Sequence, residues 1–370
     1  MNGELRFSSR ERTSSSNAVF KSTPAPDRSR INRLLYCSTN FLDEHLSQND
    51  QDNAQPTQAW KTYWQGAGDG GASSPDCVRH PAFPKFWSVA LGEFIADRPG
   101  GRILDIATGG GAVIDYFSHV PNARLENVSC VDVSQAAIDA VQEIFPDVCG
   151  IVADANSIPL ESGGYDLVTS QFGIEYAGLA AIDEASRLLA SKGSLLFLMH
   201  IRPGELYREC GATIDALRRT KRSGFVQLAL DFFETGFAAV GGADRAPYDT
   251  AARRLNPAIR ELESILSEHG EHVAGDMIIH LHTTVRTIHQ RIQYYDPDEA
   301  LSWLRKIDRE LAMYEERMVS MHDSALDEEA FKQVCERLHG QGLIVEQASP
   351  LLMKGDDLPV AWVLQATKPA

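Results

Sequence analysis

Residues 103–111 of this 370-residue chain read Ile-Leu-Asp-Ile-Ala-Thr-Gly-Gly-Gly, and this stretch decides the fold. The apolar residues around Asp105 predict a short buried strand, and residues 112–118 predict the helix that follows it. Between the two, glycines allow a sharp turn of the backbone and the close approach of a ligand. A strand, a glycine-rich turn and a helix form the opening unit of a doubly wound α/β fold.

The spacing of the glycines limits what this turn can bind. A dinucleotide-binding turn has a third glycine three residues after its second one, where the helix packs against the strand. Counted from Gly109 and Gly111, that position is occupied by Ile114. A pyrophosphate site is therefore disfavoured, and the glycine run alone does not identify another ligand.

Short apolar runs alternate with helical patterns from residue 101 onward. The predicted strands are 102–106, 128–132, 149–153, 166–170 and 194–199, and the predicted helices between them are 112–118, 134–144 and 178–190. Continuous apolar strands separated by helices indicate a parallel sheet that is covered on both faces. Two late strands, 343–347 and 360–367, suit an antiparallel addition at the sheet edge. The expected fold is α/β and Rossmann-like, a doubly wound and mainly parallel sheet of seven strands.

Two different patterns precede the sheet. Residues 1–56 are rich in Ser, Asn, Gln, Asp and Arg and predict a disordered extension. Residues 84–96 predict a helix whose buried side carries four apolar residues, Phe86, Val89, Ala90 and Phe94. We expect a core domain from residues 57–202 and 326–370.

Polar side chains stand at the carboxyl ends of the first four predicted strands. They are Asp105, Asp132, Asp154 and Gln171. Ligands of open parallel sheets bind outside these strand ends, and a carboxylate after the second strand suits a ribose diol. Each aspartate alone is also a common cap of the next helix, but four consecutive strands ending in this way favour a nucleotide-like ligand.

These residues carry a resemblance to the class I methyltransferases that use S-adenosyl-L-methionine (SAM). Residues 103–111 resemble the first motif of that family, and residues 154–160 and 164–168 resemble its later motifs. The Asp-Ile-Ala-Thr-Gly form, with the Phe-Gly-Ile of residues 172–174, is similar to the ubiquinone/menaquinone C-methyltransferase branch. The family usually has glycine where this chain has Ala107.

The resemblance implies a set of cofactor-binding residues. Around the methionine part of SAM it places Asp105, Ala107, Gly109 and Gln171, and Gly111 belongs to the same cofactor-binding turn. Around the ribose and adenine it places Asp132, Val133, Asp154 and Ala155.

Candidates for acid–base chemistry follow strands four and five. Glu175 and Tyr176 come after the fourth strand, where this family often directs a side chain at the substrate, and His200 comes after the fifth. The near-neutral pKa of a histidine suits removal of a proton from a hydroxyl. Helix capping by Glu175, packing of Tyr176 and a loop hydrogen bond of His200 are the alternatives.

Residues 203–325 form a long helical insertion after the fifth strand. Predicted helices are 206–217, 225–240 and 257–268, followed by two helices with heptad spacing, which predict an antiparallel, coiled-coil-like hairpin over 273–322. Asp296 is suited to cap the second hairpin helix, with Pro297 at its first position. The insertion is interpreted as a cap over the substrate, with docking of a partner protein or a second copy through the hairpin as the alternative.

Composition limits the possible partners. The net charge of -16 disfavours nucleic acid and anionic membranes, and no apolar run reaches the ~20 residues of a membrane span. Six scattered cysteines without metal spacing indicate a reducing cytoplasm and no metal site. A basic cluster over 218–222 would attract an anionic substrate, although a solvated helix end is the alternative.

The expected function is therefore methyl transfer from SAM to an oxygen, carbon or nitrogen of a small metabolite, lipid or glycan. Two other interpretations stay open. One is a SAM-binding partner or scaffold protein whose hairpin docks another enzyme, and the other is a protein methyltransferase.

Overall fold

A computed structural model describes residues 80–353, 355 and 357–370. The predicted extension, residues 1–56, lies outside the described residues. No helix within the described part of the chain has the length and apolar character required to cross a membrane.

The helices and strands are numbered here in chain order. The strands are β1 (Ile103–Ile106), β2 (Val128–Asp132), β3 (Cys149–Val152), β4 (Tyr165–Gln171), β5 (Leu189–Met199), β6 (Ile344–Leu351) and β7 (Ala361–Thr367). The helices are α1 (Ala82–Asp97), α2 (Ala112–Ser118), α3 (Gln135–Ile144), α4 (Leu179–Leu188), α5 (Glu205–Arg222), α6 (Phe225–Val240), α7 (Ala246–His269), α8 (Met277–Gln290), α9 (Pro297–Ser324) and α10 (Glu328–Gly340). Short 3₁₀ turns occupy Leu125–Asn127, Ile174–Ala177 and Ile292–Tyr294.

The sheet has seven strands in the order β3-β2-β1-β4-β5-β7-β6. The first five strands pair in parallel, while β7 runs antiparallel to both β5 and β6. The predicted Rossmann-like, doubly wound sheet with a large helical region is therefore confirmed. Because β1 lies between β2 and β4, the strand order reverses beside β1, which is where such sheets form their ligand crevice.

Alternation along the strands builds a core on each face of the sheet. Ile103 of β1 packs with α1, α2 and α3, whereas the next residue, Leu104, packs on the opposite face with α4 and α10. On that second face Phe331 of α10 stacks on Trp362 of β7, with ring centroids 4.3 Å apart. This period of two is what a strand buried on both faces requires.

The buried side of α1 differs from the prediction. Its buried residues are Ala82, Phe83, Trp87, Leu91 and Ile95, whereas the predicted Val89 is 55% exposed. Two apolar stripes run along this helix, and hydrophobic spacing alone does not decide which of them faces the sheet. The stripe that carries the rings of Trp87 and Phe83 is the one that is buried against the sheet.

Strand β5 begins at Leu189, five residues before its predicted start. A register shift lies opposite this early part, between Tyr165 and Leu167 of β4. Lys192 has a positive φ of 64° there. The irregular pairing hides the strand from a pattern-based prediction.

The chain divides into two compact units. The helical unit includes residues 212–315, and the sheet unit includes the described parts of 48–211 and 316–370. The core of the helical unit is formed by α6, α7, α8 and the first part of α9. Gly275 lies against Tyr314 and His280 against Trp303, so chain order reverses between the two arms of the hairpin.

Helix α7 is longer than predicted, because it begins at Ala246 rather than near Pro257. A proline inside a helix costs about 3 kcal/mol, which made Pro257 a natural first residue in the prediction. However, Ala251, Ala252 and Leu255 are all buried on the turns before it. Burial of this apolar face offsets the cost of the proline.

Candidate functional site

The turn after β1 is held by the buried carboxylate of Asp105. The hydroxyl of Thr108 donates to Asp105 Oδ2 at 2.6 Å, and the hydroxyl of Thr169 donates to Oδ1 at 2.7 Å. Burial raises the pKa of Asp105 to about 6, against the two hydrogen bonds that lower it. Asp105 thus ties β1, the turn and β4 together.

Three residues of this turn have left-handed backbone angles. They are Ala107 (φ 53°), Gly109 (φ 51°) and Gly111 (φ 77°). A Cβ on Gly111 would stand 3.1 Å from Val141 Cγ2, so glycine also serves close packing there. The family usually has glycine at position 107, so the side chain of Ala107 fits only if a neighbouring residue leaves space for it.

That room is provided by Gly173, just beyond β4. A Cβ built on Gly173 would lie 2.6 Å from Ala107 Cβ and 2.8 Å from the Ala107 carbonyl oxygen. The backbones at positions 107 and 173 touch, so only one of the two positions has room for a side chain. In this chain alanine occupies position 107 and glycine occupies position 173. This pairing explains how the chain keeps its turn with alanine at position 107.

Asp132 ends β2 and joins that strand to the turn. Its side chain accepts hydrogen bonds from the backbone N–H groups of Gly109 and Ser134, both at 2.9 Å. The residue is buried, and desolvation raises the pKa of its carboxyl above the usual range. A carboxylate has about four acceptor positions, so Asp132 keeps acceptor capacity for a ribose hydroxyl beside its backbone partners.

The end of β3 adds a more open acceptor. Asp154 is exposed, and its Oδ1 accepts from the backbone and side-chain nitrogens of Asn156 at 2.8 and 3.0 Å. Val133 and Ala155 beside these strand ends are half-buried. An acceptor with apolar neighbours fits the amino group and flat faces of an adenine, so these residues fit SAM.

Gln171 ends β4, beside the turn. The indole Nε1–H of Trp87 donates to Gln171 Oε1 at 2.5 Å. Trp87 is fully buried and was not among the residues predicted for the site. The signal that could have revealed it is the apolar i, i+4 stripe of α1 that the prediction passed over.

A buried contact between a carboxylate and an imidazole links the two strands beyond the turn. Glu175, in the 3₁₀ turn after β4, accepts at Oε1 from the backbone N–H of His200 at 2.8 Å and faces His200 Nδ1 at 2.7 Å. The side chains are 0% and 3% exposed, respectively. With Nδ1–H donated to the carboxylate, Nε2 carries the free lone pair of the imidazole.

Two polar atoms of this pair take no part in hydrogen bonds between described residues. Within the described residues, neither His200 Nε2 nor Glu175 Oε2 has a hydrogen-bond partner, although both are buried. Aromatic rings surround the histidine, with Phe172 at 4.5 Å and Tyr176 at 5.8 Å between ring centroids. The structure therefore brings Glu175, Tyr176 and His200 together, with the imidazole oriented by a carboxylate and flanked by two aromatic rings.

Two of the four basic residues in the cluster on α5 form ion pairs within the helical unit. Arg219 contacts three carboxylates, of Glu261, Glu268 and Asp215, at 2.8, 2.6 and 3.4 Å. Arg218 contacts Glu315 at 2.9 Å. A shallow cavity of about 400 Å³ beside Arg219 and Arg222 also contains Glu261. These contacts fit a helix-bracing role for the cluster better than recruitment of an anion.

The histidines of the helical unit also have local partners. Tyr248 Oη lies 3.1 Å from His289 Nδ1, and His282 Nε2 lies 3.6 Å from Glu263. Burial lowers the pKa of both histidines. Across the described part of the chain, no group of three or more His, Cys, Asp or Glu residues is arranged to hold a metal ion.

Comparison with known proteins gives the class of the sheet unit. Residues 104–197 match the family model described as a methyltransferase domain. A demethylmenaquinone methyltransferase from Beutenbergia cavernae is 28% identical over 114 residues, which are 30% of this chain and 46% of that protein. A ubiquinone/menaquinone biosynthesis C-methyltransferase from Campylobacter jejuni is 30% identical over 122 residues, which are 32% of this chain and 50% of that protein. The chain thus spans about half the length of the curated relatives that it matches.

Two methyltransferases are examples of solved structures with a related fold. A SAM-dependent methyltransferase from Aquifex aeolicus has 19% identity and a TM-score of 0.26, covering 33% of this chain and 73% of that one. The CurJ carbon methyltransferase has 14% identity and a TM-score of 0.39, covering 78% of this chain and 54% of that one.

Residues 104–197 match a methyltransferase domain, and the strand order and the turn after β1 agree with the resemblance to class I SAM-dependent methyltransferases. Its cofactor is SAM. Among the curated relatives, a ubiquinone/menaquinone biosynthesis C-methyltransferase from Cereibacter sphaeroides is 30% identical over 122 residues, which are 48% of that protein.

Proposed function

We propose that this protein is an enzyme that transfers the methyl group of SAM to an oxygen, carbon or nitrogen of a small metabolite, lipid or glycan. The observation that carries the proposal is the buried Glu175–His200 pair, whose free Nε2 has no structural use. A binding scaffold needs no oriented base, whereas methyl transfer often needs a deprotonated nucleophile. The pair follows the carboxyl ends of β4 and β5, on the side of the sheet where the cofactor turn lies.

In this proposal the cofactor is held by the strand ends. Asp132 accepts the ribose hydroxyls and Val133 flanks the adenine. Asp154 and the Ala155 amide serve the adenine edge. The methionine end is surrounded by residues of the turn and of β4, namely Asp105, Ala107, Gly109, Gly111 and Gln171. The bound sulfonium supplies an electrophilic methyl group, and the protein supplies position, dryness and a base.

His200 is the base of the proposed mechanism. Its Nε2 takes a proton from the acceptor as the acceptor attacks, and the carboxylate of Glu175 stabilises the imidazolium that forms. A positioned base of this kind contributes typically ~10²–10⁴-fold in rate. Tyr176 and Phe172 line the base and exclude water, which strengthens the electrostatic contribution of Glu175.

The charges around the base favour an uncharged acceptor. Glu175 and Asp132 are buried acids on this side of the sheet, and the arginines of 218–222 that would recruit an anion are largely occupied. A cationic acceptor would in turn be repelled by the positive charge of the sulfonium. A hydroxyl, an enol or a neutral amine satisfies both conditions.

The helical region, residues 203–325, is proposed to cap the acceptor and to select it. Its hairpin, residues 273–322, is the alternative place for a second copy or a partner protein. A net charge of -16 favours an acceptor free in the cytoplasm over nucleic acid or an anionic membrane.

Release of S-adenosylhomocysteine from SAM tests the proposal directly. The purified protein is incubated with SAM and separate pools of uncharged hydroxylated metabolites, lipids and glycans, and the released product is quantified. Glu175→Gln and His200→Gln serve as matched variants, because both side chains keep their size and hydrogen-bonding capacity. Turnover that falls in both variants while SAM affinity is retained supports the proposal. SAM binding without turnover on any pool, in the wild type, supports the scaffold alternative instead.

A further inference from the structure

The side chain of Gln171 is fixed by a residue far away in sequence. Trp87 of α1 lies 84 positions earlier and donates its indole N–H to Gln171 Oε1 at 2.5 Å. A buried indole N–H usually has a hydrogen-bond acceptor, because leaving it unsatisfied is costly. Gln171 supplies that acceptor from the last position of β4.

This contact decides which end of the amide is free. The carbonyl oxygen of Gln171 faces the indole, so its Nε2 group keeps two protons to donate. No described residue is recorded as accepting either proton. Without Trp87, the amide could turn and present its oxygen in place of its nitrogen.

The position of Gln171 makes this orientation relevant to the cofactor. It is followed by Phe172, a bulky residue at a positive φ of 54°, and by Gly173, which touches Ala107 of the turn. Backbone held in such a sparsely populated region is typical of functional sites. Gln171 therefore ends β4 immediately beside the turn proposed to surround the methionine part of SAM.

We propose that Trp87 is a positioning residue, which presents the amide protons of Gln171 to the amino-acid end of the cofactor. This inference rests on the proposed function. The carboxylate of that amino acid is the ligand group that an amide N–H donor suits. Trp87 itself acts only through Gln171.

Calorimetry with two ligands tests this. S-adenosylhomocysteine contains the amino-acid end, whereas 5′-methylthioadenosine lacks it and keeps the adenine and ribose. For Trp87→Phe, which retains the packing of a ring without its donor, we expect about 10-fold weaker S-adenosylhomocysteine binding, because one hydrogen bond to a charged group is misaligned. Binding of 5′-methylthioadenosine should be unchanged.

Gln171→Glu is the matched control. A glutamate still accepts from Trp87 but has no proton to donate, so it should show the same selective loss with a wild-type melting temperature. If Trp87→Phe does not fold, Trp87→Leu, which is also apolar and has no donor, replaces it. Equal effects on both ligands, or none on either, would overturn the inference in favour of a purely structural contact. Failure of the wild type to bind S-adenosylhomocysteine would instead reject the proposed function.

Discussion

Replacing Gly173 with alanine should disturb the cofactor turn, because the added methyl group has no space. Its Cβ would stand 2.6 Å from Ala107 Cβ and 2.8 Å from the Ala107 carbonyl oxygen. Carbon atoms in contact are normally ~3.5–4.0 Å apart, so the two backbones must separate by roughly 1 Å. Overpacking of this kind costs about 1–3 kcal/mol, and we expect the upper part of that range since both neighbours are backbone or Cβ.

A double-mutant cycle isolates the contact. Ala107→Gly removes the closer of the two obstacles and also relieves the left-handed backbone of an alanine at φ 53°. Alone it should be nearly neutral, because that relief is offset by the greater freedom of glycine in the unfolded chain. Combined with Gly173→Ala, it should recover about half of the lost stability, since the carbonyl oxygen remains in the way.

Urea denaturation gives the free energies of unfolding, and calorimetry with S-adenosylhomocysteine shows whether the turn has moved. Coupling between the two substitutions should exceed about 0.5 kcal/mol, the usual error of additivity. If Gly173→Ala is as stable as the wild type, or if the two effects simply add, the close packing described here is incorrect.

Further predictions concern the base, the turn and the core. His200→Gln and Glu175→Gln should each lower turnover by about 10²–10⁴-fold while calorimetry shows unchanged SAM affinity; normal turnover in both would remove the base from the mechanism. Asp105 has a folded pKa of about 6 against an ordinary value of 3.8, so the folded state holds its proton more tightly. Its contribution to stability is present below pH 4 and is lost as the pH rises to about 6, by about 3 kcal/mol at 1.36 kcal/mol per pKa unit. Urea denaturation across this pH range should show that decline in the wild type and not in Asp105→Asn, and equal profiles would contradict it. Phe331→Ala removes the ring stacked on Trp362, and the free energy of unfolding in urea should fall by about 3–5 kcal/mol. The affinity for S-adenosylhomocysteine should be retained. A loss of affinity in a variant that still folds would show that α10 contributes to the site.

Much of the fold could be predicted from residues 101–200, because each strand is a short apolar run and each ends in a polar residue or a turn. The antiparallel addition of the two late strands followed from the same reasoning, whereas the order of the strands comes from the structure alone. The helices of the insertion were predicted from their spacing, but Pro257 concealed the first half of α7. There the packing of Leu255 and its neighbours outweighed a local rule.

The sequence indicates candidate site residues where one residue carries the signal, and it misses contacts that two distant residues share. Asp105 and Asp132 stand at strand ends, and the sequence shows them directly. Trp87 with Gln171, and Ala107 with Gly173, are pairs that only the folded sheet brings together. No local pattern connects residues that lie 84 or 66 positions apart.

Binding of SAM tests the central claim most directly. Calorimetry should show SAM binding at one site, with no binding of NAD⁺, because Ile114 stands where a dinucleotide turn needs its third glycine. Asp132→Asn should weaken SAM binding by about 10–100-fold, because a charged acceptor is lost. Asp139→Asn, on the exposed side of α3, should bind SAM as the wild type does. Absence of SAM binding by a folded wild-type protein, or preferential binding of NAD⁺, would contradict the account.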